Sequence, residues 1–232
     1  WSHVGLDDTR HISKMVIHPT NPEIVFVAAK GDMFGQDSVR GVYRTTDGGT
    51  HWEKVLYVND GAGAVDITMD MSNPDILLAS LNYHIRFLYD EVSGGPGSGL
   101  YRTTDGGDTW VDITRNEGMP DGVVGKIGVS ISQADPSRVY AIVEAAEGGV
   151  YRSDDGGESW QRVSADRTRR LFPASYNHIT ADTQDPDVVY LQHQRFWRST
   201  DGGRTFNQVP MGHADHHALW IDPKDSDRMI DG

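Results

Sequence analysis

Val42-Tyr43-Arg44-Thr45-Thr46-Asp47-Gly48-Gly49-Thr50-His51-Trp52 decides the fold, because the chain repeats it. It returns as Leu100-Tyr101-Arg102-Thr103-Thr104-Asp105-Gly106-Gly107-Asp108-Thr109-Trp110. The third copy is Val150-Tyr151-Arg152-Ser153-Asp154-Asp155-Gly156-Gly157-Glu158-Ser159-Trp160, and the fourth is Phe196-Trp197-Arg198-Ser199-Thr200-Asp201-Gly202-Gly203-Arg204-Thr205-Phe206. The aspartates at 47, 105, 155 and 201 are 58, 50 and 46 residues apart. Uneven spacing about a common length indicates one repeated unit with loops of different size. Glycine takes positive φ at no steric cost and an Asp carboxylate accepts turn N–H bonds, so Asp-Gly-Gly reads as a hairpin turn.

A second pattern lies between the copies. It reads His18-Pro19-Thr20-Asn21-Pro22-Glu23-Ile24-Val25-Phe26-Val27, then Asp70-Met71-Ser72-Asn73-Pro74-Asp75-Ile76-Leu77-Leu78-Ala79. Further copies begin at Ser132, Asp182 and Asp222. Each is an apolar run, a Pro/Asn/Asp turn and a second β-branched run, which signals another hairpin. Two hairpins per repeat give four strands. In the first repeat these are Ile12 to Ile17, Ile24 to Ala28, Gly41 to Arg44 and Trp52 to Val58. Four-stranded units recurring every 40–50 residues predict an all-β chain, a β-propeller of four-stranded antiparallel blades.

Composition narrows the function. Hydrophobic residues are 37% of the 232, enough for a core. The net charge of −13 argues against nucleic acid and anionic membranes, whose phosphates need basic surface. No apolar run approaches the ~20 residues of a membrane helix. With no cysteine, disulfides, thiolate zinc sites and cysteine nucleophiles are excluded.

The Ser/Thr-x-Asp-x-Gly-x-Thr-Trp pattern of these four copies resembles the Asp-box, or BNR repeat, of sialidases, xyloglucanases, sortilin-type receptors and photosystem assembly factors. The segment Gly212-His213-Ala214-Asp215-His216-His217-Ala218-Leu219-Trp220-Ile221-Asp222-Pro223 is similar to a stretch of large bacterial proteins of sortilin-like or glycosyl-hydrolase-like type. The first box departs from the pattern, with His51 where Thr or Ser is expected, and a local change without loss of the turn is anticipated. The resemblance implies a secreted, periplasmic or cell-surface location and a protein or glycan partner, with membership of a larger complex. It implies no cofactor.

Register also speaks to the chain's extent. After each box comes aromatic-x-x-aliphatic, as in Trp52…Val55, and Trp1-Ser2-His3-Val4 fits the same register. Trp1 therefore reads as the end of a box whose first half lies upstream, and Asp222 to Ile230 as a fifth opening hairpin. The expectation is one propeller domain over residues 1–232, with four full blades and partial blades at both ends, excerpted from a longer repeat protein. In the alternative, the two ends meet to complete a fifth blade.

The Asp-boxes and the Pro turns fall on one rim. Their stereotyped residues, Asp47, Trp52, Asp105, Trp110, Asp155, Trp160, Asp201 and Phe206, are assigned to structure. The opposite rim is individual, and recognition residues usually sit on such loops. Arg10, His11, Asp66, Lys126, Tyr176, His178, Asp215, His216 and His217 fall at or near the start of successive inner strands and are the candidate ligand-binding set. The long loop Asn82 to Gly99 adds Tyr83, Phe87, Leu88 and Tyr89 above a glycine-rich base. On a strand, His213, Asp215 and His217 would share a face. Such a set suits zinc, but a scaffold role is preferred and no metal is expected.

Enzyme readings are weaker. Glycoside hydrolysis needs two carboxylates ~5–9.5 Å apart, and Asp32, Asp66, Glu91 and Asp215 are the candidates. A sialidase-like arrangement would draw on Arg10, Arg86 and Arg195 with Tyr176, but the Phe/Tyr-Arg-Ile-Pro segment common in sialidases is absent. No Gly-x-Ser-x-Gly elbow or phosphate loop is present. The sequence thus favours a non-catalytic binding module, with glycoside hydrolysis as the alternative and the catalytic residues unassigned.

Overall fold

The computed structural model describes residues 2–166 and 177–232. Trp1 and Tyr176, both singled out above, lie outside the described residues. The chain divides into two compact units, Trp1–Asp112 and Ile113–Gly232. Every regular element among the described residues is a strand, and no helix is long and apolar enough to cross a membrane.

In the first unit, β1 (Ile12–Ile17), β2 (Val25–Ala29), β3 (Gly41–Thr45) and β4 (Glu53–Leu56) form one antiparallel sheet in chain order. The second sheet follows with β5 (Ala62–Met69), β6 (Leu77–Arg86), β8 (Gly99–Thr103) and β9 (Val111–Asp112), while β7 (Glu91–Ser93) pairs with the far end of β6. The segment read as a long loop, Asn82 to Gly99, is therefore largely a hairpin extension of the blade.

In the second unit, β10 (Val124–Ile131), β11 (Val139–Ala145), β12 (Gly149–Ser153) and β13 (Gln161–Ser164) make the third blade. The fourth comprises β14 (His178–Ala181), β15 (Val189–Gln192), β16 (Phe196–Ser199) and β17 (Asn207–Val209). The hairpin β18 (Leu219–Asp222) and β19 (Asp225–Asp231) begins a fifth. All-β architecture with propeller blades is thus what the repeat encodes. The last strand of each blade begins just after the box aromatic rather than on it.

Blades pack face to face within each unit. Phe26, Ala28, Val42 and Leu56 of the first blade meet Ala64, Ile67, Leu77, Ala79 and Leu81 of the second in one core. Tyr140, Ile142 and Val150 of the third meet Ile179, Val189, Leu191 and Phe206 of the fourth in another. Burying one such aliphatic side chain contributes about 1.5–3 kcal/mol. Polar clamps add direction. Arg44 reaches from β3 to the next blade's box, donating to the Gly106 carbonyl at 2.7 Å and to Asp108 at 2.6 Å. Tyr43, Tyr101 and Tyr151 each donate a hydroxyl bond to the carbonyl four residues back, at 2.9, 3.2 and 2.6 Å. The three tyrosines and Arg44 are therefore structural.

Candidate functional site

The box turns are built alike. Each central Asp accepts a bond at 2.9 Å from the backbone N–H four residues on, that of His51, Thr109, Ser159 or Thr205. Its second oxygen takes that residue's side chain at 2.5–2.6 Å. His51 does with its imidazole what a hydroxyl does elsewhere, so the first turn survives the exchange. The first box glycine donates to the carbonyl of the adjacent Pro-type turn at 2.8–3.0 Å in all four blades, which fixes the two turns side by side. These bonds hold the carboxyls of Asp47 and Asp105 at about 2, through His51 and Thr109 respectively. Burial pushes Asp201 the other way, yet its Thr205 and Ser199 bonds outweigh it and leave it at about 2 as well.

The box aromatics are not equivalent. Trp160 and Phe206 are buried, whereas Trp52 and Trp110 are half-buried. Trp110 and Trp160 donate their indole N–H to the Gly107 and Gly157 carbonyls, while Trp52 turns to the Val4 carbonyl at 2.7 Å. Gly107 has φ +90°, and a Cβ there would stand 3.0 Å from Phe26, so the turn sits directly on the preceding blade.

Away from the box turns of their own blades, β1, β5 and β10 each carry a register break near the start, at Ile12/Lys14, Ala64/Asp66 and Val124/Ile127. Such bulges re-aim side chains. In the first unit Lys14 Nζ donates to Asp66 Oδ1 at 2.7 Å, with the Asp66 side chain only 3% exposed. His11 Nδ1 lies 2.9 Å from the Gly31 carbonyl and Arg10 lies 3.7 Å from Asp32, both at the exposed margin. Below them Arg40 is wholly buried and donates to the carbonyls of Asp32, Gly35 and His84. His84 is buried against Glu91 at 3.0 Å, and burial, then Lys30, pushes its imidazole below the usual histidine range.

The second unit brings together Lys126, His178 and His217. Lys126 Nζ and His178 Nε2 are 3.2 Å apart, and the His178 and His217 rings meet edge-on at 6.1 Å. The stretch carrying His213, Asp215 and His217 is not a strand, and Asp215 has φ +65°. The alternation expected there is broken. Asp215 is exposed, while His216 turns inward to Asp231 Oδ2 at 2.5 Å, with His213 Nε2 at 3.2 Å from the same oxygen. Asp231, at the end of β19, is the partner the sequence reading missed; its distance from the histidine cluster along the chain concealed it. A cavity of about 340 Å³ opens beside it, lined by Tyr190, Phe196, Arg198, His213, Met229 and Asp231 among others.

The family comparison bears on the turns. The BNR/Asp-box repeat model matches residues 151–162, the third copy with its complete bond set. The other three copies share that bond set. A xyloglucanase of Paenibacillus sp is 25% identical over 225 residues, covering 84% of this chain and 20% of the relative. The crystal structure of an ancestral GH74 enzyme superposes with a TM-score of 0.67 at 19% identity, covering 97% of this chain and 29% of that one. YCF48 from Cyanidioschyzon merolae gives a TM-score of 0.57 at 14% identity, covering all of this chain and 66% of that one. The chain therefore spans about a fifth of the curated relative's length, and the structural likenesses establish its propeller fold.

One Asp-box blade also carries an apolar projection. The β6–β7 hairpin ends in Phe87, Leu88 and Tyr89, which are 55%, 93% and 98% exposed. Phe34 is exposed on the neighbouring loop, which is tied to the hairpin by a 2.7 Å bond from Arg86 N–H to the Met33 carbonyl.

Proposed function

We propose that this chain is a non-catalytic recognition module, engaging a protein, peptide or glycan through the β6–β7 hairpin and the inner-strand polar residues of its first unit. The observation that carries the reading is the hairpin tip: three consecutive large apolar side chains held in solvent by a paired ladder. An exposed aromatic on a rigid support is the usual material of a binding hot spot. Two candidate acids of the first unit are already engaged, Asp66 by Lys14 and Glu91 by His84, which leaves them poorly placed to work on a sugar. The family resemblance supports a location outside the cytoplasm and membership of a larger complex.

The alternative, glycoside hydrolysis, is favoured by the xyloglucanase relative. Xyloglucan oligosaccharide and a displayed peptide library are the probes for recognition, and release of reducing ends from xyloglucan separates it from hydrolysis. The expected result is saturable binding to one probe, weakened at least ~10-fold in a Leu88→Ala/Tyr89→Ala variant, because truncating a central aromatic costs about 2 kcal/mol or more. Thermal stability should stay within about 0.5 kcal/mol of wild type, since both side chains are solvated. Unchanged binding in the variant would contradict the assignment.

A further inference from the structure

We propose that His213, His216 and Asp231 form a binding site for a divalent transition metal of the zinc class, with one coordination position open to the adjacent cavity. The three residues offer one ligand atom each, and these atoms lie within 4.8 Å of one another. Two imidazoles and a carboxylate are a standard donor set for zinc, with bonds of ~2.0–2.2 Å and hence tetrahedral ligand separations of ~3.3 Å. The observed 3.2 Å between His213 Nε2 and Asp231 Oδ2 already matches. The 2.5 Å contact of His216 Nδ1 with Asp231 is a hydrogen bond whose proton the metal replaces, that proton passing to Nε2 or to solvent while the two atoms move apart by less than ~1 Å.

Two further observations point to a cation. His213 Nδ1 lies 3.1 Å from the Ala214 carbonyl. A proton donated there leaves Nε2 as a bare lone pair, the tautomer of a metal-bound histidine whose second nitrogen is held by backbone. That lone pair would then face a carboxylate oxygen, an unfavourable pairing that a cation between them relieves. Asp231 Oδ1 is buried and has no hydrogen-bond partner among the described residues. An unpaired buried carboxylate oxygen is costly, and a second metal contact or a metal-bound water would satisfy it.

The ligands also stand on a stitched frame. His216 N–H bonds to the His193 carbonyl at 2.9 Å, and His217 and Ala218 N–H both bond to the Gly232 carbonyl. The His216 ring packs 5.4 Å from Phe196. Such support holds donor geometry without the metal. The cavity that His213 and Asp231 line supplies the open side, with room for a water or an oxygen-donor ligand on the ion.

The test is zinc titration of the chelator-stripped chain, followed by gel filtration and metal analysis. Retention of one zinc per chain, together with a rise in melting temperature, is expected. His213 is 48% exposed, so His213→Ala should fold normally and lower zinc affinity at least ~10-fold, and Asp231→Asn should do the same. His3→Ala, which removes an exposed histidine of the first unit, should retain wild-type affinity. Failure of the wild-type chain to retain zinc would overturn the proposal. So would wild-type affinity in the folded His213→Ala variant, because zinc would then be held by other surface groups.

Discussion

Each Asp-box carboxylate does several jobs at once, and that is legible in its ionisation. Asp47, Asp105 and Asp201 are held at about 2, below the ordinary carboxylate value of ~3.9. A depressed folded value contributes stability above the unfolded value and loses it as pH falls through the folded one. Acid unfolding should therefore steepen between about pH 4 and pH 2. Asp105→Asn should lower stability at neutral pH and flatten that part of the curve, followed by circular dichroism. The aromatics predict a graded series. Trp160→Ala should cost about 3–5 kcal/mol by cavity formation, and Trp52→Ala clearly less because solvent already reaches it. Equal losses in chemical denaturation would refute the gradation. The structural role of the box was readable from type and spacing. That His51 substitutes for a hydroxyl was half-readable, since the exchange is visible in sequence but its geometry is not. The Tyr-Arg clamps were visible as a pattern without a reason, because their partners are carbonyls and the next blade's turn.

At the scale of elements, strand pairs followed from alternation and turn residues, but the departures from regularity did not. The bulges that set Lys14, Asp66 and Lys126 arise from inter-strand register, which no local pattern reveals. The loop of His213 to His217 imitates a strand in its alternating polar residues. Positive φ at Asp215 and backbone bonds to His193 and Gln194 decide otherwise. The Lys14–Asp66 contact is the clearest element-scale test. Lys14→Ala should destabilise by about 1–3 kcal/mol, because it leaves a buried carboxylate short of a partner, with the half-exposed lysine keeping the effect from the upper end. Adding Asp66→Asn should recover part of the loss in a double-mutant cycle. Full additivity would show that the two groups are not coupled.

On the scale of the whole molecule, the sequence carried the propeller class through repetition alone, and the likeness to the GH74 enzyme and to YCF48 agrees. Function was less legible because a blade scaffold serves catalysis and recognition equally. What separates them is whether carboxylates meet across a sugar or are tied up in the frame, a distance that sequence does not carry. The xyloglucanase relative supplies the decisive substrate. The chain should be incubated with xyloglucan and the release of reducing ends followed over time, with binding measured on the same preparation. Recognition without hydrolysis predicts no release above a protein-free blank, while the hairpin-dependent binding of oligosaccharide or peptide persists. Steady release of reducing ends that scales with protein concentration and is abolished by Asp66→Asn or Asp215→Asn in folded variants would contradict it.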